Sequence, residues 1–148
     1  MSNFKNWLNS TKKGLTDQVK KFKNKDFMDA IVAGCALVAF ADGKIDASEK
    51  NKMAGYMNLS EELKVFDMTQ VINQFNHYVS NFEFSPEIGK QEALKSISKF
   101  SSKPEVGRLI VGVCSAIGAA DGDFDDQEKA VVRNICSALN LNPGEFSL

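Results

Sequence analysis

The sequence predicts an all-α fold, a helical bundle of about seven helices with an internal pseudo-two-fold duplication. Apolar residues recur at three- and four-residue spacing along most of the chain, and no alternating β-branched run lies between turn signals. Two ten-residue segments, 41–50 and 120–129, are identical at six positions. With 148 residues and 43% hydrophobic content, the chain is long enough for a single domain with a shared core.

The first 25 residues differ in charge from the rest. They carry seven lysines and one aspartate, whereas the remainder is acidic. Phe4, Trp7 and Leu8 fall roughly on one side of a helical projection, and most of the lysines lie elsewhere. Residues 1–25 are therefore predicted to be a basic amphipathic N-terminal arm, and residues 26–148 a single helical domain.

Turn and cap signals divide residues 26–148 into helices. The first is predicted over 26–41, with Asp26 and Asp29 as a capping pair and Gly43 as the stop signal. Ser85, Pro104 and Asp125 mark three later helix starts. The predicted later elements are helices over 46–58, 67–82, 85–100, 104–120 and 125–139, and short turns at 60–63 and 142–145.

Apolar side chains at helical spacing are predicted to fill the core. The odd number of cysteines, without CxxC or CxxH spacing, indicates small, buried, reduced thiols and no zinc site. The phenylalanines assigned to the core are Phe66, Phe75, Phe82, Phe84, Phe100 and Phe146.

The two similar segments, "ADGKIDASEK" and "ADGDFDDQEK", are offset by 79 residues. The same offset superimposes Cys35 on Cys114 and aligns apolar positions on both sides of the segments. We expect one structural unit used twice, in repeats of about 26–66 and 104–148.

Acidic residues gather at both turns and can be explained in two ways. Asp125 and Glu128 have the spacing of a capping box, and so do their counterparts in the first repeat. Asp42 instead follows the C-terminal end of a helix, where the helix dipole repels a carboxylate. Backbone amides of the turn, a lysine or a divalent cation could balance such a charge.

A metal at these turns would have oxygen ligands only, which favours calcium, with magnesium as the second choice. The turns are not EF-hands, because the glycine and the final glutamate stand at the wrong positions. Lys44 replaces Asp123 in the first copy, so a site shared by both turns would reconcile the difference. The candidate metal ligands are Asp42, Asp46, Glu49, Asp121, Asp123, Asp125 and Glu128.

Other function classes are disfavoured by the composition. The acidic body would repel nucleic acid, and no apolar run reaches the ~20 residues that cross a bilayer. No signal peptide is apparent, so a cytoplasmic protein is expected. No histidine, serine motif or phosphate-binding glycine loop stands near the acids, so no enzyme activity is expected.

Several stretches resemble the TerB family of bacterial tellurite resistance proteins. They are "SEELKVFD", "EIGK", the two "ADG" turns and "FDDQEKAVVRNI", and together they span nearly the whole chain. The resemblance implies an all-helical duplicated domain with metal ligands at the acidic turns. It also implies a role in metal sensing and in stress or phage defence, beside an integral membrane partner of the TerC type.

These observations lead to two main functional hypotheses. In the first, a divalent cation neutralises the acidic turns and changes a docking surface of a non-enzymatic binding module. In the second, the acids only cap helices, and the protein is a constitutive helical adaptor at the membrane. The basic arm, residues 1–25, could attach to anionic lipid or fold back onto the acidic body.

Overall fold

The computed structural model describes residues 14–43, 47–120 and 124–148. These residues form α-helices and 3₁₀ helices and no strand, which confirms the all-α prediction. The seven α-helices of this part are α1 (Leu15–Lys21), α2 (Lys25–Ala39), α3 (Ala47–Leu59), α4 (Met68–Phe84), α5 (Pro86–Ser98), α6 (Pro104–Gly118) and α7 (Asp126–Ala138), with 3₁₀ helices at Leu63–Val65 and Pro143–Phe146.

Most of the predicted helix starts are made by the predicted side chains. Asp67 Oδ1 accepts a hydrogen bond from the Thr69 backbone N–H at the start of α4 (2.8 Å), and Ser85 caps α5. The prediction for α2 was wrong: Asn24 caps it, and its Oδ1 accepts a hydrogen bond from the Phe27 N–H (2.8 Å). Asn24 can cap because it is extended and stands outside the helix, whereas Asp26 lies within the first turn.

Helix α2 is the centre of the bundle and packs against α4, α5 and α6. Its side chains are buried almost without interruption from Phe27 to Val38. Phe27 meets the rings of Phe66 and Phe100 edge to face, at centroid distances of 6.2 and 6.1 Å. This aromatic cluster ties the start of α2 to the segments that follow α3 and α5.

The core predictions hold with one exception. Five of the six assigned phenylalanines and all three cysteines are buried. Phe84 was assigned wrongly, because its side chain is 81% exposed at the C-terminal end of α4. Phe84 lies nine residues after Phe75 and two after Phe82, so at 100° per residue it projects from the side of α4 opposite both.

The helix bounds repeat at the offset seen in the sequence. Helices α2 and α6 both have 15 residues and differ by 79 at each end, and α3 and α7 both have 13 residues and differ by 79. Similar helix bounds do not establish a duplication, which stays a prediction.

The N-terminal part of the chain is described from Gly14 onward. Leu15 and Val19 of α1 are buried, and α1 packs on α6 and on the first 3₁₀ helix. Residues 1–13, which include most of the predicted arm, lie outside the described residues, and the domain boundary near residue 25 stays a prediction. None of the helices described is both long and apolar enough for a membrane span.

Candidate functional site: an acidic cavity between two turns

Helices α2 and α6 lie side by side and run in the same direction. A Cβ at Gly34 would touch the Cys114 side chain, and one at Gly118 would touch Val38 (2.9 Å). The second contact lies four residues after the first on both helices, so the helices are parallel. As a consequence, the turns that follow α2 and α6 emerge at the same end of the bundle.

The two turns share one cavity of about 190 Å³, which we call the acidic cavity. Asp42 and Glu49 line it from the first turn and α3, and Asp125 and Glu128 line it from the second turn and α7. The remaining lining residues are Val38, Ala39, Ala41, Lys52, Met53, Tyr56, Gly118 and Gln127. The structure thus brings together four of the seven predicted ligands, two from each turn.

The acids of the second turn form the predicted capping box. Asp125 Oδ1 accepts a hydrogen bond from the Glu128 N–H (2.7 Å), and Glu128 Oε1 accepts one from the Asp125 N–H (3.1 Å). The box orients both carboxylates at the N-terminus of α7, where the helix dipole favours negative charge. Part of the acidic character of this turn therefore has a structural cause.

The first turn carries Asp42 past the C-terminal end of α2. The Gly43 N–H donates to the Phe40 carbonyl oxygen (2.8 Å), and Gly43 has a left-handed φ of 81°. This turn holds Asp42 beside the last carbonyls of α2, where the dipole disfavours a negative charge. The arrangement supports the argument made from the sequence for a compensating positive charge, and Lys52 lies in the same cavity.

The other three predicted ligands, Asp46, Asp121 and Asp123, fall outside the described residues. Within residues 14–43, 47–120 and 124–148, no group of three or more histidine, cysteine or carboxylate residues has the arrangement of a metal site. Lys52, Tyr56 and Gln127 were not expected in the site. Of these three, only Gln127 could have been suspected from the sequence, because it stands between Asp126 and Glu128.

A second cavity of about 350 Å³, which we call the apolar cavity, lies next to the acidic one and shares Ala41 and Gln127 with it. It is formed by the end of α2, the corner between α4 and α5, and one side of α7. Its other lining residues are Leu37, Phe40, Gly43, Phe82, Pro86, Glu87, Lys90, Leu94, Ala130, Val131 and Asn134.

The thiols of Cys114 and Cys136 are not activated for nucleophilic chemistry. A hydrogen bond with Cys35 and burial raise the pKa of Cys114 well above its ordinary value, and its Sγ donates to the Ile31 carbonyl oxygen (3.3 Å). Burial raises the pKa of Cys136 to about 12. Since the thiolate is the reactive form, Cys114 and Cys136 are expected to be inert at neutral pH.

Comparison with known proteins identifies the family of the chain. The family model described as tellurite resistance protein TerB matches residues 28–148, which include both turns and all seven predicted ligands. A tellurium resistance protein TerB from Alcaligenes sp is 46% identical over 109 residues, covering 72% of this chain and 89% of that protein. No solved structure matches the chain significantly. The chain therefore belongs to the TerB family of tellurite resistance proteins.

Proposed function

We propose that this member of the tellurite-resistance family is a non-enzymatic binding module that responds to a divalent cation, with calcium preferred over magnesium. The observation that carries the proposal is that Asp42, Glu49, Asp125 and Glu128, from two turns far apart in the chain, line one cavity. A cation held there would connect the turn after α2 with the turn before α7.

The donor chemistry of the acidic cavity fits a hard cation. Its carboxylates offer only oxygen, and no histidine or cysteine is among the described residues that line it. The capping box engages one oxygen of Asp125 and one of Glu128. Further ligands would come from Asp46, Asp121 and Asp123, since calcium takes six to eight oxygens.

The proposed response to a divalent cation follows from the negative charge of the acidic cavity. Without a cation, the carboxylates of the two turns repel one another across the cavity, and Lys52 offsets part of that repulsion. A divalent cation would remove the repulsion and favour one arrangement of the ends of α2, α3, α6 and α7. Because Ala41 and Gln127 also line the apolar cavity, that arrangement would alter the adjoining surface.

Calorimetric titration with calcium, magnesium and zinc tests the proposal. We expect heat of binding with calcium in the parent and its loss in an Asp121→Asn/Asp125→Asn variant. Asparagine at position 125 can still cap α7, so this change removes charge and preserves the helix start. Asp126→Asn is the matched control, because Asp126 is an exposed neighbour that does not line the cavity.

A constitutive adaptor is the second candidate, and the capping box favours it. The hydrogen bonds of Asp125 and Glu128 explain two of the acids without a ligand. In that case the titration would give no heat with any of the three ions, and the acidic turns would serve only to define the helix ends.

The proposed partner is a membrane-associated complex on the cytoplasmic side, with an integral membrane protein of the TerC type, as the family resemblance implies. Residues 1–25 could add attraction to anionic lipid, at about 1 kcal/mol for each lysine near the surface. Sedimentation with anionic vesicles tests this contact. Equal sedimentation with and without residues 1–25 would contradict it.

A further inference from the structure

We propose that the apolar cavity is a binding site for a free α-amino acid with an aromatic side chain. The ring of the amino acid lies against the apolar lining, and its ammonium and carboxylate groups meet opposite charges on α5. This inference does not depend on cation binding at the acidic cavity. It rests on the size of the apolar cavity, on its aromatic lining and on the two charged side chains that it contains.

The apolar cavity has the size of a small-molecule site. Its volume of about 350 Å³ lies near the lower end of the roughly 300–1,000 Å³ typical of ligand pockets. An apolar cavity of about 150 Å³ binds benzene, so the larger volume leaves room for a ring together with a polar group. One turn of α-helix, about 10 Å across and about 5.4 Å high, already exceeds this volume, so the cavity suits a small molecule better than a partner helix.

The lining of the cavity is suited to an aromatic ring. The lining residues of α5 and of α7 follow the three- and four-residue spacing of one helix face, so the cavity lies between these two faces. The rings of Phe40 and Phe82 stack in the lining, with centroids 4.1 Å apart and planes 14° apart. Leu37, Leu94 and Val131 add aliphatic surface. A third ring can contact this pair, and aromatic contacts contribute more than the buried area alone.

Two charged residues line the apolar cavity, and their charges cancel. Glu87 and Lys90 stand three positions apart on α5, so they lie on the same side of that helix, with Cβ atoms about 5–6 Å apart. Both are exposed, and neither has an ion-pair partner in the part of the chain that the structure describes. One negative and one positive group are therefore available to a ligand in the cavity.

These two charges discriminate among ligands that have an aromatic ring. An amine alone is attracted by Glu87 but repelled by Lys90, and a carboxylate alone meets the opposite combination. An uncharged molecule gains from neither charge. A zwitterion with neighbouring ammonium and carboxylate groups gains from both, and the side-chain amides of Gln127 and Asn134 on α7 offer further hydrogen bonds.

NMR titration of the full-length protein in EDTA tests the site, with L-phenylalanine as the probe. We expect saturable shifts of the side-chain amide signals of Gln127 and Asn134, which line the cavity. Phenylethylamine and phenylpropionate each carry only one of the two charges and should bind about tenfold more weakly. Glycine, a zwitterion without an apolar side chain, should give no saturable shift.

Charge variants on α5 test whether the amino acid binds at the cavity. Lys90→Met removes the partner of the carboxylate and should weaken L-phenylalanine binding about tenfold. It should not weaken the binding of phenylethylamine, which has no carboxylate. Lys95→Met is the matched control, because Lys95 is exposed on the same helix and does not line the cavity. Circular dichroism should show equal helicity in both variants.

The inference is supported if L-phenylalanine binds more tightly than its singly charged analogues and if Lys90→Met, but not Lys95→Met, removes that preference. The absence of saturable shifts at the cavity would overturn it, as would equal effects of the two variants. Equal affinities for L-phenylalanine and the uncharged phenylethanol would also overturn it, because Glu87 and Lys90 would then take no part. Saturable binding of glycine would place the zwitterion outside the apolar cavity and reject the site.

Discussion

Asp29 lies half-buried on α2, and its Oδ1 atom is enclosed without a hydrogen-bond partner in the described part of the chain. Burial is the largest influence on this carboxyl and raises its pKa. Lys25 on the same helix, Lys99 after α5 and His77 on α4 act in the opposite direction, whereas Asp26 raises the pKa further. The positive neighbours therefore compensate only in part for lost hydration.

The Asp29→Asn variant is expected to be more stable than the parent at neutral pH. Asparagine removes the negative charge that burial disfavours, and residual solvent contact at Asp29 keeps the expected gain below about 1 kcal/mol. Because the folded-state pKa is raised, the folded form binds the proton more tightly. The parent should therefore gain stability as pH falls through the raised pKa toward the unfolded value near 3.8.

Urea unfolding at neutral and acidic pH measures this effect. The advantage of Asp29→Asn should shrink as pH falls through that window, since the parent then becomes neutral at the same position. Asp26→Asn is the control: Asp26 is exposed, 3.8 Å from Lys99, and should show no stabilisation. An advantage for Asp29→Asn that is independent of pH would contradict the desolvation argument.

At the scale of single elements, variants at the start of α7 separate the capping role of Asp125 from its proposed role as a metal ligand. Replacing Asp125 with alanine removes the hydrogen bond to the Glu128 N–H and should cost about 1 kcal/mol of unfolding free energy. Asp125→Asn should cost almost nothing, because asparagine is an equally good cap. Urea midpoints of the two variants test this, and equal losses would show that the charge, rather than the cap, stabilises α7.

Helix starts of this kind could be predicted from the sequence because the cap and its partner lie three residues apart. Ser85 and Asp125 are examples, and their helices begin where expected. The start of α2 was misassigned because Asn24 and Asp26 are both competent caps, and local sequence does not decide between them. Phe84 was misassigned because the helical repeat was not applied to it: it lies about 180° from Phe75 around α4, on the exposed side.

The contact between α2 and α6 depends on Gly34. An added Cβ would collide with Cys114 Sγ and lie 3.3 Å from Cys114 Cβ, within the buried core. Gly34→Ala should therefore destabilise the protein by about 1–3 kcal/mol. Gly55→Ala on α3 is the matched control, because nothing lies within 4 Å of its added Cβ, and it should stabilise by about 0.5–1 kcal/mol. Thermal unfolding with shifts of the same sign would contradict this packing.

At the scale of the whole molecule, the sequence identified acidic residues of the site and raised a site shared by both turns, but it could not show that the two turns meet. Asp42 and Asp125 are 83 positions apart, and only the parallel packing of α2 and α6 brings their turns to one cavity. The apolar cavity could not be predicted for the same reason, since its wall combines α2, α4, α5 and α7. Local patterns indicate which residues bear charge, whereas long-range packing decides which charges meet.

A single shared ion makes a prediction that two independent ions do not. Calcium at 100 times its dissociation constant should stabilise the parent by about 2.7 kcal/mol, or roughly 5–10 °C for a chain of this size. Asp42→Asn and Asp125→Asn change different turns, yet each should remove most of that shift because both carboxylates line the same cavity. Asp126→Asn should keep it. If each single variant retained about half of the shift, the turns would bind separate ions, and the cation would not connect the two turns.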